Sequence, residues 1–222
     1  MNDAPRLPLT GAAIGVAPML VLGYAAVRLL DPGGRPGLAW TASHLLLLAA
    51  FVMFGLAIPG IGQTAARGGR TRRVVAVVTA VVAAVGVFCA FGQTLTDIAV
   101  GLIATDRAGM NVLFHQIHSY PGVGLAFGSI GPILFFVGLP ALTALLAAAR
   151  PPQMAAWGAV AVAVGALLPV ATLDLLPLAA LLMTLGLAPL GWRLTHATRL
   201  ARSPVPASEP SAVREREAAG DR

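Results

Sequence analysis

The sequence predicts an all-α membrane bundle of six transmembrane helices. Both termini lie on the cytoplasmic side, and a short interfacial helix separates spans three and four. Three observations lead there. Hydrophobic residue types make up 57% of the 222 residues and charged types only 11%, with a mean hydropathy of +0.82. An ordinary soluble domain is about 25% charged, and so few charges cannot cover this much apolar surface in water. Six apolar stretches approach the roughly 20 residues that cross about 30 Å of hydrocarbon. Finally, the basic residues, all arginine, fall between those stretches and mostly on one side. This composition excludes a soluble enzyme, a nucleic-acid-binding module and a disordered chain.

The first span is about Leu9–Leu30. It is longer than a signal-peptide core, and Arg28 follows where a small-residue cleavage site would be needed, so it reads as a retained helix. The second span is about Trp40–Ile61, and the third stays apolar from Val74 to about Ala104. The fourth is about Val123–Ala149, the fifth about Met154–Leu173 and the sixth about Leu175–Trp192. Asp174 and Pro177 divide the last two into a tight hairpin, with the proline in the first turn of the new helix, where a missing N–H costs little. Between spans three and four, Met110, Leu113, Phe114 and Ile117 recur at helical spacing. Asp106 is placed to cap this segment and Tyr120-Pro121-Gly122 to end it, which predicts a helix lying in the membrane interface.

Orientation follows from arginine placement. The loop after the second span carries Arg67, Arg70, Arg72 and Arg73, which assigns it to the cytoplasm. Counting outward, twelve arginines fall inside, the tail included, and three outside (Arg28, Arg35, Arg107). Residues 1–195 form the transmembrane domain. Residues 196–222 are assigned to a disordered cytoplasmic tail, since the stretch from Ala201 is rich in Pro, Ser, Glu and Arg and has little to bury. Cys89, the sole cysteine, has apolar neighbours and reads as a buried, inert side chain.

A faint duplication is visible. Gly15, Pro18 and Gly23 of the first span are echoed by Gly128, Pro132 and Gly138 of the fourth. A Trp opens the following span in each half (Trp40, Trp157), with a later Pro (Pro59, Pro169). Three spans per unit would make the halves inverted, as in many transporters.

Ionisable residues within spans are costly and face the bundle or water. Asp97 lies about 35 Å along the third helix, near its outer end. Gln93 is one turn deeper on the same face. His44 sits in the first turns of the second span, also at the outer side. On the interfacial helix, Asn111, His115 and His118 share a face apart from the apolar stripe. The candidate outer polar site is therefore His44, Gln93, Asp97, Asn111, His115 and His118. Within it, His44, His115, His118 and Asp97 are the residue types that could ligate a metal ion, or a histidine pair a haem. Each histidine also reads as an ordinary residue at headgroup level. No nucleophile-elbow, phosphate-loop or dinucleotide motif is present, so no catalytic residue is assigned.

Several features together resemble a loose group of small, uncharacterised actinobacterial integral membrane proteins with six spans. They are Trp40 and His44 before a Leu-rich second span, Gln93 to Asp97, the run Ser129–Gly138, and LAPLGWRL at Leu187–Leu194. The resemblance covers about residues 10–195 and implies a six-span fold in the bacterial plasma membrane, but no activity. Three functions stay open: an accessory or structural membrane component, a small transporter or permease, and an outward-facing metal, haem or redox enzyme. The partners expected are the lipid bilayer and other membrane proteins, not nucleic acid.

Overall fold

The computed structural model describes residues 6–31, 33–148 and 152–200, and every element in them is helical. They are α1 (Arg6–Leu30), α2 (Leu38–Ala65), α3 (Arg70–Ile103) and α4 (Arg107–His118). A π-helical stretch (Gly124–Ser129) then runs into α5 (Ile130–Ala147), and α6 (Pro152–Ala171) leads through a tight turn (Leu173–Leu175) to α7 (Leu176–Leu200). Five segments are long and apolar enough to cross a membrane: Leu9–Leu30, Leu38–Ala65, Arg70–Ile103, Gly124–Ala147 and Leu173–His196. A sixth, Ala156–Ala171, is equally apolar but shorter.

Local chemistry sets the boundaries. Gly37 and Gly68, at φ 149° and 140°, turn the chain into α2 and toward α3, a region other residues avoid. The Asp106 carboxylate accepts the Gly109 N–H at 2.7 Å, capping α4 as the sequence predicts. Thr172 caps the α6–α7 turn by accepting the Asp174 N–H, and Pro177 falls in the first turn of α7. One expectation needs correcting. The fourth span does not begin as an α-helix, because residues 124–129 form a wider, underwound π-helical turn with i→i+5 hydrogen bonding. α7 itself runs to Leu200, with Leu194 buried in the bundle. The remaining tail, residues 201–222, lies outside the described residues.

The helices form a closed ring in the order α1, α2, α3, α5, α6, α7, with α2 and α5 touching across it. Phe51 and Phe54 of α2 meet Phe135 of α5 at ring distances of 5.6 and 5.0 Å, making the centre aromatic. Small residues bring the backbones close. A Cβ on Gly86 would strike the Phe135 backbone, one on Gly138 the Ala83 backbone, and one on Gly60 the Thr10 side chain. The outward faces are as apolar as the core: Val74, Val77, Val78, Val81, Val85 and Phe88 run exposed along α3. A stripe of that length is an interaction surface, not a solvated one. Under the proposed duplication, neighbours in one half of the ring match neighbours in the other, as in any up-and-down ring. The α2–α5 contact, however, has no α6–α1 counterpart among the described residues.

Alternation gives the ring two distinct ends. One holds the start of α2, the end of α3, α4 and the α6–α7 turn, and is called here the Trp40 end. The other holds the end of α2, the start of α3, the end of α5 and the end of α7, and is called the Arg72 end. Every acidic residue described (Asp31, Asp97, Asp106, Asp174) belongs to the Trp40 end.

Candidate functional site

The first turns of α2 build the site. Trp40, Ser43 and His44 fall on the face that α2 turns toward α1 and α3, and His44 is only 3% exposed. Its Nδ1 lies 2.7 Å from the Trp40 carbonyl oxygen, one turn back. A carbonyl only accepts, so Nδ1 carries the proton and Nε2 is left with its lone pair or a second proton. That Nε2 faces Asp97 Oδ2 of α3 at 3.8 Å. The other carboxylate oxygen accepts the Gln93 side-chain amide at 2.9 Å.

Trp40 holds this pair in place from two directions. Its ring stacks on the His44 imidazole at 4.2 Å, and its indole N–H donates to the Asp97 backbone carbonyl at 2.7 Å. One turn along α3, Gly101 is bare because the Trp40 ring occupies the place of a Cβ. From α1, Tyr24 meets His44 edge-on at 5.4 Å, and its hydroxyl accepts the Arg28 guanidinium at 3.2 Å. Three helices thus converge on one imidazole. Beside it a cavity of about 20 Å³, lined by Arg28, Asp31, Gly34, Trp40, Ser43 and His44, has room for about one water. The loop over it is tied to α4, because Arg107 donates to the Gly33 carbonyl.

Of the six residues the sequence nominated, His44, Gln93 and Asp97 come together. Asn111 and His115 stay on the exposed face of α4. His118, at the end of the same helix, is only partly exposed. Its ring packs on Phe114 and on Gly128 of the π-helical stretch, and its Nε2 is buried without a hydrogen-bond partner. It lies where the chain folds back over the helix end. The Gln93 carbonyl oxygen is also buried and unpartnered. The α3–α5 register (Gly86 on Phe135, Gly92 on Phe127) sets Gln93 level with that same stretch.

Among the described residues no group of three or more His, Cys, Asp or Glu is placed to hold a metal ion. His44 and Asp97 offer two donors, fewer than the three protein ligands of a typical zinc site. Sequence reasoning treated Trp40 as a span marker and passed over Tyr24 and Gly101. The Trp40-x-x-x-His44 spacing, which puts both rings on one helical face, is the signal that could have found the stack.

No family model matches the chain, and no curated protein or solved structure matches it.

Proposed function

We propose that this chain is a six-span accessory component of a bacterial plasma membrane, with both termini cytoplasmic, and that His44 and Asp97 form a proton-binding site at its outer end. One observation carries the reading. With Nδ1 committed to the Trp40 carbonyl, Nε2 and Asp97 Oδ2 face each other as two acceptors. A neutral imidazole and a carboxylate so placed repel. One added proton turns them into a donor–acceptor pair, which draws α2 toward α3. The other titratable or charged groups around the imidazole are Tyr24 and Arg28 of α1 and Asp31 of the loop. The site's cavity of about 20 Å³ has room for about one water, too little for a solute, which favours an accessory role over a permease and over an enzyme acting on a substrate bound there. Orientation rests on the arginine asymmetry, and the sixth crossing on pairing Ala156–Ala171 with the long α7.

The test uses the stack itself, because a charged imidazole quenches an indole in contact with it. In Trp157→Phe/Trp192→Phe protein in lipid nanodiscs, Trp40 emission should fall on acidification between about pH 8 and pH 5. His44→Gln should abolish the step, and Asp97→Asn should move its midpoint. A step indifferent to both variants overturns the site. Single cysteines beside Arg70 and Asp106, in a Cys89→Ser background, should label from opposite faces of intact cells. Labelling from one face overturns the threading.

A further inference from the structure

A second feature lies at the Arg72 end, far from His44. There α5 and α7 both pack on α6 but do not touch each other, and the gap is a cleft of about 380 Å³. That is within the size range of ligand pockets. Its walls are apolar, with Leu146 of α5, Ala161 of α6 and Leu190 of α7 among them. Two groups break the pattern. Pro189 has no N–H to offer the Leu185 carbonyl one turn back, so an acceptor is left open where both residues line the cleft. At the rim stands Arg193, one further turn along the same face of α7. It is exposed, and among the described residues it has no hydrogen bond or ion pair.

The surroundings decide what could answer that guanidinium. Arg67, Arg70, Arg72 and Arg73 belong to the same end, and no acidic residue among those described does. Among the described residues no carboxylate is placed to pair with Arg193, and its exposed guanidinium at the cleft rim is free to meet the anion of a ligand. Trp157, 76% exposed at the cleft mouth, is the residue type that sits at the level of lipid headgroups. We infer that the cleft between α5, α6 and α7 is a binding site for one anionic phospholipid, its phosphate on Arg193 and an acyl chain lying along Leu185 and Leu190. Basic pockets between membrane helices on the cytoplasmic side suit such headgroups. The inference rests on the proposed bilayer orientation but not on the His44–Asp97 site.

The experiment compares phosphatidylglycerol with phosphatidylcholine. Full-length protein is reconstituted in nanodiscs of phosphatidylcholine doped with spin-labelled lipid of either kind, and the motionally restricted fraction is read by electron paramagnetic resonance. The labelled phosphatidylglycerol should be retained preferentially, by about fivefold for one arginine–headgroup contact. Arg193→Gln should remove the preference, while Arg67→Gln, whose side chain does not line the cleft, should leave most of it. Ala161→Phe, filling the cleft, should reduce restriction of both lipids. Equal restriction of the two lipids by the wild-type protein overturns the inference without needing any variant to fold. So does a preference that survives Arg193→Gln. Loss of lipid preference with an intact Trp40 pH step sinks this site alone, whereas one-sided cysteine labelling sinks the orientation beneath it.

Discussion

The two ends of the bundle handle polarity in opposite ways. At the Trp40 end the polar groups partner one another within and between helices: Gln93 donates to Asp97 one turn along α3, Trp40 of α2 donates to the Asp97 backbone, and His44 of α2 faces the carboxylate. Among the described residues the charged groups at the Arg72 end are all of one sign, and Arg72 is held there by backbone. Arg72 donates to the Ala65 carbonyl at 2.8 Å and to the Leu145 carbonyl at 2.6 Å, clamping the end of α2 to the end of α5. The lesson is that groups able to share hydrogen bonds and a proton close a site on themselves, while charges of one sign leave a surface that looks outward for its partner. The first arrangement suits a switch and the second a docking place.

Three substitutions sharpen this contrast. The largest effect is expected where both ends depend on the same seam. Gly86→Val drives a side chain into the Phe135 backbone, which cannot move aside as a flexible side chain would. A loss of about 3 kcal/mol or more is expected, seen as aggregation during extraction or a much lowered melting temperature in detergent. Normal melting would mean that the α3–α5 contact is looser than described. Next comes Asp97→Ala, which strands the Gln93 amide and leaves His44 without its facing carboxylate. The expected cost is about 1–3 kcal/mol by thermal melting, with Asp97→Asn costing less because it keeps an acceptor for Gln93. Equal melting of Asp97→Ala and wild type would remove the claim that the Trp40 end is closed by pairing. The smallest effect is expected at the basic end. Arg72→Met frees two backbone carbonyls and should cost about 1.5 kcal/mol, whereas Arg73→Met, at an exposed position, should stay within about 0.5 kcal/mol. Similar losses for both would show that net charge, and not the clamp, matters there.

Much of the architecture was legible beforehand. The predicted spans fall on observed helices, the helix between spans three and four covers Arg107–His118 with Asp106 as its cap, and the Asp174–Pro177 hairpin forms. These follow from apolar run length and local backbone chemistry, which neighbours along the chain dictate. Cys89 is buried, as its neighbours implied. The site was legible only in part. Gln93 and Asp97 share a helical face, so their hydrogen bond follows from spacing, but nothing along the chain says that Trp40 reaches the Asp97 backbone 57 positions away. The π-helical stretch was hidden for a similar reason. Its sequence, GLAFGS, is compatible with an ordinary helix, and here it packs with Gly128 under His118.

The sequence by itself determined the local chemistry: which stretches are apolar enough for lipid, where helices start and stop, and at which helix ends the arginines collect. These are sums over neighbouring residues. Only the tertiary structure decided that His44 is buried and meets Asp97, that His118 packs on Gly128, and that α5 and α7 stand apart around Arg193. Those outcomes depend on how closely glycine-lined helices approach one another, a distance set by contacts between segments far apart in the chain.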